Sequence, residues 1–205
     1  MAIKVLSVGP LAENCIIYSK NNKCIIFDPG DEGERIASYI IKNSLQPLFI
    51  ANTHGHFDHI GAVRYLQDAF NIPFYIHKDD EYLIKNSVES LIFGIIRIEV
   101  PQKINYLNDN DVLTFEDEEF LVIHTKGHTA GSVCFYNSKA GILISGDTLF
   151  YCSIGRTDLP GGDYDSLIKS IKNRLFTLPD DTIVYPGHDR HTTIGFEKLH
   201  NPFLK

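Results

Sequence analysis

Short apolar stretches and helical patterns alternate along this chain of 205 residues. Stretches rich in Ile and Val and bounded by polar residues predict β-strands. Apolar residues at helical spacing predict α-helices. In the first half, the predicted strands are 3–8, 15–19, 23–28, 47–53 and 73–77. The predicted helices of that half are 32–43, 60–70 and 79–86. The first half therefore opens with a cluster of strands and then adds helices.

The second half repeats this order. Its predicted strands are 111–115, 119–125, 132–137, 141–147 and 182–186. A helix is predicted over 164–176, and the tail after 191 is predicted to be partly helical. Because both halves add helices to a strand cluster, two sheets packed face to face with helices outside fit the pattern better than a single parallel sheet.

The segment 87–106 has the weakest pattern and is predicted to be loop with some helix. It is apolar enough to form a lid or a wall of a substrate site, and Phe93 and Ile95 are then the candidate contacts. A buried connector is the equal alternative, and the sequence leaves both open.

Composition narrows the class of protein. Hydrophobic residues make up 43% and charged residues 22%, which is typical of one globular domain over 1–205. The net charge of -7 argues against a nucleic-acid partner, because such proteins carry a basic excess or patch. The N-terminus lacks the pattern of a signal peptide, and the apolar runs are too short to span a bilayer. These features predict a cytoplasmic protein without a membrane partner, and none predicts an oligomeric state.

Four isolated cysteines support the same compartment. Cys15, Cys24, Cys134 and Cys152 form no CxxC pair and are predicted to be reduced thiols. Cys152 lies close to a candidate motif, so a functional role for it stays open.

The stretch "THGHFDH", 53–59, concentrates metal-binding side chains between a predicted strand and a predicted helix near Ile60. Its candidate ligands are His54, His56, Asp58 and His59. Imidazole nitrogen and carboxylate oxygen are ready zinc ligands. Gly55 is expected to allow an unusual backbone angle between two of them. Four ligands so close in sequence suit two metals better than one.

Three later segments offer further ligands at strand ends. They are His128 in "TKGHTAGS", Asp147 in "SGDTLF" and His188 in "YPGHDR". An Asp after a buried strand is costly unless it is paired or metal-bound. A single such residue is usually a cap or turn residue, but four segments in this order together predict a metal centre. His124 is a weaker candidate, and Asp28 is interpreted as a turn residue or a hydrogen-bonding support.

The motif HxHxDH, followed by a separate His, Asp and His, resembles the metallo-β-lactamase superfamily. The resemblance runs from "GPLAENCIIY" to "PGHDRHTT". It implies an α/β fold, a four-layer αββα sandwich of two mixed sheets with helices outside. It also implies two divalent metal ions per chain, with zinc favoured and iron or manganese as alternatives. By the family pattern, the ligands are His54, His56 and His128 for the first metal, Asp58, His59 and His188 for the second, and Asp147 bridging both.

Within the superfamily, the chain is most similar to short, single-domain glyoxalase II-like hydrolases. Classical β-lactamases of the superfamily have Cys where Asp147 stands, and diiron flavoproteins have Glu where His56 stands, so both branches are disfavoured. Arg156 occupies the position of a basic residue that contacts glutathione. The two tyrosines that help to grip glutathione in that family are replaced by Asp158 and Arg190, and the family's helical C-terminal domain has no counterpart.

The resemblance implies a thioesterase that cleaves small-molecule acyl thioesters of the S-2-hydroxyacylglutathione type. The attacking group is expected to be a metal-bridging hydroxide, since two nearby metals lower the pKa of a shared water. Asp58 is the candidate catalytic residue, because it can orient that hydroxide as well as bind metal. The absence of a GxSxG motif argues against a serine hydrolase. The acyl group and the thiol carrier are not predicted.

Alternatives on the same scaffold differ in metal content. A mononuclear-iron persulfide dioxygenase shares a segment like "GRTD", 155–158, and would use His54, His128 and Asp147 as a facial triad. A lactonase or a phosphodiesterase is a further alternative, although the acidic balance disfavours the latter. A non-catalytic metal-binding protein is the last. Metal content is the simplest distinction between the thioesterase and the dioxygenase: two zinc-like metals per chain are expected for the first, and one iron for the second.

Overall fold

Each half of the chain builds its own six-stranded sheet. The computed structural model describes residues 1–85 and 99–205, and the chain divides into two compact units, Met1–Tyr106 and Leu107–Lys205. We call them the N-terminal unit and the C-terminal unit. The candidate wall residues Phe93 and Ile95 lie outside the described residues. Organisation as one domain over 1–205 stays a prediction.

The sheet of the N-terminal unit is mixed, and its strands lie in chain order. They are β1 Ala2–Val8, β2 Glu13–Lys20, β3 Lys23–Phe27, β4 Gln46–Ala51, β5 Phe74–His77 and β6 Ile104–Leu107. The first three strands pair antiparallel, whereas β3, β4 and β5 run parallel. Parallel neighbours end at the same edge, so the loop that follows β4 leaves the sheet beside the ends of β3 and β5.

Helices connect the parallel strands of this unit. They are α1 Gly33–Lys42, α2 Phe57–Ile60, α3 Val63–Phe70 and α4 Glu81–Lys85, with a 3₁₀ turn at Lys78–Asp80. In α1, the residues Ile36, Ala37 and Ile40 are buried on one face. That face packs into a core shared with β2 and β3, where burial of each large aliphatic side chain stabilises the fold by about 1.5–3 kcal/mol.

The C-terminal unit has a second mixed sheet, in the order β14-β13-β10-β9-β8-β7, and a separate two-stranded hairpin. The strands are β7 Val112–Phe115, β8 Glu118–His124, β9 Val133–Asn137, β10 Ile142–Gly146, β11 Leu149–Phe150, β12 Ser153–Ile154, β13 Ile183–Pro186 and β14 Thr192–Thr193. Only β10 and β13 pair parallel. The hairpin of β11 and β12 follows β10 directly.

Two helical segments pack on the second sheet. Helix α5, Tyr164–Ser170, continues into a π-helical turn, Ile171–Leu175, and α6 spans Ile194–His200. Both helices begin with a side-chain cap: Asp163 accepts a hydrogen bond from the Ser166 amide, and Thr193 accepts one from the Phe196 amide. Within the described residues, no helix has the length and apolar content needed to cross a bilayer.

The predicted elements are largely confirmed; the exceptions are the short strand β14, which was not predicted in the tail, and three further elements. The helix expected near Ile60 already begins at Phe57, so Asp58 and His59 lie in a helical turn rather than in the loop. The prediction of loop with some helix up to residue 106 is wrong at its end, because 104–107 forms the edge strand β6. The hairpin of β11 and β12 was not predicted, since two-residue strands are too short to show alternation.

Candidate metal centre

The N-terminal unit gathers His54, His56, Asp58 and His59, which we call the N-terminal half-site, between β4 and α3. All three imidazoles are buried. The ring centroid of His54 lies 4.8 Å from that of His56 and 4.1 Å from that of His59. Asp58 is partly exposed in the first turn of α2. The predicted ligands of this motif are therefore brought together within their own unit.

Asp28, at the end of β3, orients the half-site from behind. Its carboxylate accepts hydrogen bonds of 2.7 Å from both the amide and the hydroxyl of Thr53. The same carboxylate lies 3.2 Å from Nδ1 of His59. A carboxylate this close favours the proton of a neutral imidazole on Nδ1, which leaves the lone pair on Nε2, the nitrogen available for a metal. The interpretation of Asp28 as a hydrogen-bonding support is confirmed, and its backbone is left-handed, with φ of 47°.

His54 is oriented by the same acid through Thr53. The Thr53 hydroxyl donates its proton to Asp28, so its oxygen can accept from Nδ1 of His54, which lies 3.0 Å away. His54 then also presents its Nε2 lone pair. One buried carboxylate thereby favours the same tautomer in two imidazoles.

Further buried polar groups hold the backbone of this half-site. The side-chain amide of Asn52 donates to the carbonyl of His59 at 2.7 Å, and the backbone amide of Gly55 donates to the Asp80 carboxylate at 2.9 Å. The expectation of an unusual backbone angle at Gly55 is wrong, because its φ is not positive. A Cβ at this position would lie 3.0 Å from the Asp80 carbonyl oxygen, so close packing is the reason for glycine.

The C-terminal unit gathers His128, Asp147 and His188, which we call the C-terminal half-site. Oδ2 of Asp147 lies 3.5 Å from Nε2 of His128 and 3.7 Å from Nε2 of His188. His128 is buried, whereas His188 retains 26% side-chain exposure. The three ligands predicted from separate strand ends therefore converge on one point within this unit.

A backbone carbonyl orients His128. Its Nδ1 lies 2.8 Å from the carbonyl oxygen of Arg156. A carbonyl can only accept, so Nδ1 carries the proton and Nε2 the lone pair. Gly155, the preceding residue, makes this approach possible, because a Cβ there would lie 1.8 Å from the Asp147 carbonyl oxygen.

The donor chemistry of both half-sites fits divalent metal ions. Ligand atoms bound about 2.0–2.1 Å from a tetrahedral metal lie roughly 3.3–3.4 Å apart. The distances of 3.5 and 3.7 Å from Asp147 to the two Nε2 atoms are close to this spacing and too long for good hydrogen bonds. The Nδ1 atoms of His54, His59 and His128 all face oxygen atoms that can accept a hydrogen bond. This is the arrangement that supports metal-bound imidazoles.

The predicted substrate-binding residue Arg156 is already engaged. Its guanidinium forms two hydrogen bonds, of 2.7 and 2.8 Å, with the Asp158 carboxylate. These bonds lower the pKa of the Asp158 carboxyl to about 2. The guanidinium carbon of Arg190 lies over the ring of Tyr151, 3.6 Å from the ring centroid. Arg156 therefore presents a bidentate ion pair, not an isolated cation, at the surface.

Sequence reasoning missed four of the buried acids: Glu13, Asp80, Glu118 and Glu197. Oε1 of Glu13 lies 3.8 Å from Nδ1 of His59, and Glu197 accepts hydrogen bonds from the backbone beside β12. Glu13 lies in the stretch "GPLAENCIIY" that carries the family resemblance, but no role was predicted for it, and Glu197 has no quoted motif around it. The burial of a single acid depends on tertiary neighbours, so no local pattern could have identified either.

Comparison with known proteins places the fold and its half-sites in a family. The chain belongs to the metallo-β-lactamase superfamily, whose family model matches residues 8–188. That range contains both half-sites, so the α/β fold with two mixed sheets and surrounding helices is confirmed, and the chain is a member of a superfamily of metallohydrolases.

Particular relatives are similar along the whole chain. Hydroxyacylglutathione hydrolase GloC of Haemophilus influenzae is 36% identical over 208 residues, which cover 100% of this chain and 98% of that protein. The crystal structure of BLEG-1 B3 metallo-β-lactamase is 42% identical with a TM-score of 0.92, covering 99% of each chain. The structure of TTHA1623 in a di-iron-bound form is 38% identical with a TM-score of 0.90, covering 98% of this chain and 100% of that one.

Proposed function

We propose that the chain is a binuclear metallohydrolase in which the two half-sites form one metal centre, within one domain over 1–205. The observation that carries this proposal is the convergence of His128 and His188 on Oδ2 of Asp147 at ligand-like distances. The dense cluster of the N-terminal half-site supports it independently. The proposed ligands are His54, His56 and His128 for one metal, Asp58, His59 and His188 for the other, and Asp147 between them.

The residues of the chain prepare this centre in two ways. Asp28 and the Arg156 carbonyl hold His59 and His128 with Nε2 ready to bind. Asp58, in the first turn of α2, offers a carboxylate oxygen that can accept a hydrogen bond from an attacking water. The two metals, when bound, supply Lewis acidity and lower the pKa of water.

The proposed substrate is a small acyl thioester of the S-2-hydroxyacylglutathione type. The similarity to GloC over the whole chain supports this class. The proposed metal is zinc, since His and Asp ligands suit it, and the di-iron form of TTHA1623 supports iron as the alternative. We also propose a cytoplasmic location, which is supported by four cysteines without disulfides. Burial raises the pKa of one of these thiols, that of Cys24, to about 12.

Hydrolysis of S-lactoylglutathione by purified protein of known metal content tests the proposal. We expect two metals per chain and turnover that disappears in His54→Ala. The matched control is His200→Ala, which removes an exposed imidazole at the end of α6 and should leave turnover unchanged. A protein that holds two metals and leaves the thioester intact would rule out this substrate class.

A second candidate is the mononuclear-iron persulfide dioxygenase, in which His54, His128 and Asp147 would hold the iron. The similarity to the structure of ETHE1 from Myxococcus xanthus, which is 25% identical with a TM-score of 0.81, keeps this alternative open. One iron per chain and oxygen consumption with glutathione persulfide would support it over the thioesterase. The classical β-lactamase branch was disfavoured by Asp147, but the similarity to BLEG-1 makes a β-lactam a necessary third assay substrate.

A further inference from the structure

Glu197, in α6, is a buried carboxylate that belongs to neither half-site. It is 0% exposed. Burying a carboxylate is costly unless hydrogen bonds compensate it. Both of its oxygens accept from the Cys152 amide, at 3.0 and 3.2 Å, and they also accept from the Thr192 hydroxyl at 2.6 Å and the Asn201 amide at 2.8 Å. All three neighbours are donors, so the pocket is built for an ionised acid.

The segment that Glu197 holds has little stability of its own. The hairpin of β11 and β12 has only four paired residues, and an isolated pair of strands is at best marginally stable. Its turn passes through Cys152, whose φ of 52° is left-handed and unfavourable for a residue with a side chain. Asn201 holds the same turn by donating a hydrogen bond from its side-chain amide to the Ser153 carbonyl at 3.0 Å. Two residues around α6 therefore fix the amide of Cys152 and the carbonyl of Ser153.

The hairpin connects directly to the C-terminal half-site. It begins just after Asp147 and ends just before Gly155, whose amide returns to the Thr148 carbonyl at 3.4 Å. The next residue supplies the carbonyl that binds Nδ1 of His128. A shift of the hairpin would move this carbonyl relative to the imidazole that it orients.

We propose that Glu197 is a positioning residue, whose carboxylate fixes the hairpin so that the Arg156 carbonyl holds His128 in its metal-binding orientation. The inference rests on the proposed metal centre and extends it to a residue outside the ligand set. Glu197 touches neither metal nor substrate in this role. It acts through Cys152, the hairpin and Arg156.

The test compares Glu197→Gln with Glu118→Gln. Glu118 is a second buried carboxylate of the same unit, 4% exposed and bonded to the Asn137 amide, but it begins β8 at the end opposite His124. Both substitutions remove a buried charge and should lower the melting temperature. Only Glu197→Gln places an amide among three donors beside the hairpin.

The readouts are zinc affinity, measured by competition with a chelator below the melting transition, and the NMR signal of the His128 Nδ1 proton. For Glu197→Gln we expect zinc affinity at one site to fall at least tenfold, as for other lost supports of metal ligands, and the proton signal to shift. For Glu118→Gln we expect both readouts to stay at the wild-type values. Equal zinc affinity in both variants and the wild type overturns the proposal, as does an equal loss in both variants.

Failure of the proposed function gives a different result, because wild-type protein would then bind no metal pair. If Glu197→Gln does not fold, Asn201→Ala takes its place, since it removes the bond to Ser153 and one of the hydrogen bonds to Glu197 while keeping the carboxylate and its bonds to the Cys152 amide. The same criteria then apply.

Discussion

The two half-sites use the same ligand types but are built in opposite ways. In the N-terminal unit, four candidate ligands lie within 54–59, and one side chain, Asp28, orients two of the imidazoles. In the C-terminal unit, the ligands follow three different strands, and a backbone carbonyl orients His128. The first half-site is specified by local sequence, and the second is specified by the path of the chain.

This difference predicts which kinds of substitution should weaken each half-site. Side-chain changes at a few supporting positions should weaken the N-terminal half-site without disturbing its sheet. The C-terminal half-site should instead be sensitive to changes that move the backbone between 147 and 156. The following substitutions are ordered from the largest expected effect to the smallest.

Gly155→Ala should have the largest effect. Its Cβ would lie 1.8 Å from the Asp147 carbonyl oxygen, so the backbone must move. We expect the free energy of unfolding to fall by about 3 kcal/mol, as for severe overpacking, and one metal per chain to be lost. Urea denaturation and metal analysis measure the two effects. The control is Gly141→Ala, where the added Cβ meets nothing within 4 Å but φ is 66°, so only stability should fall. If Gly155→Ala keeps its full metal content, the C-terminal half-site does not depend on the position of the backbone between 147 and 156.

Asp28→Asn should produce the largest effect in the N-terminal half-site. An amide group would face donors of Thr53 or His59 in either orientation. We expect zinc affinity to fall 10- to 100-fold, the range typical of lost hydrogen-bonding support, by chelator competition. Asp31→Asn, an exposed acid three positions along, should have no effect on zinc affinity. Unchanged affinity in Asp28→Asn would show that this acid does not orient the ligands.

Thr53→Val tests the indirect path from Asp28 to His54. The substitution removes the hydroxyl but keeps the shape of the side chain and the Thr53 amide bond to Asp28. We expect a loss of zinc affinity of about tenfold, near the lower end of the range for such supports. Thr53→Ser restores a hydroxyl and should recover most of the affinity. If Ser and Val behave alike, the hydroxyl does not set the tautomer of His54.

Asp158→Ala should have the smallest effect. It releases Arg156 from an exposed pair, and such pairs contribute little because water screens them. If Arg156 contacts the thiol carrier, we expect KM for S-lactoylglutathione to fall up to about fivefold with kcat unchanged. The pKa of Asp158, depressed to about 2, keeps the pair ionised, so its contribution is lost only as pH falls toward that value. The KM effect should therefore be constant at neutral pH; an unchanged KM would place Arg156 away from the substrate.

Local pattern was sufficient to predict most of the sheets and the N-terminal half-site. The strands around Ile25 and Leu143 are buried, continuous apolar runs, and the histidines near Gly55 are too dense to be overlooked. The seven-residue ligand set as one centre was predicted from a resemblance and stays a prediction. The structure adds that the candidate ligands of each unit lie close together within that unit.

The partners of the supporting residues could not be predicted, for a physical reason. Asp28 was interpreted as a support from its place after a strand, but its partner Thr53 lies 25 positions away in the sequence. Glu197 was missed altogether, because it acts on Cys152, 45 positions away, and this contact exists only after the sheets form. The hairpin of β11 and β12 is similarly invisible, because its stability comes from α6 and not from its own four paired residues. Tertiary contacts decide such elements, and local propensity does not.

The π-helical turn at Ile171–Leu175 has one further consequence. Leu167, Ile171 and Leu175 are all buried and follow each other at intervals of four. Four residues of α-helix rotate slightly more than one full turn. A continued α-helix would therefore place each of these residues further around the helix axis than the one before. The wider π turn, closed by the Phe176 amide on the Ile171 carbonyl at 2.9 Å, rotates less and returns Leu175 to the line of Leu167. The helix thereby corrects its phase, and deleting one residue from the turn would rotate everything after it by about 100°.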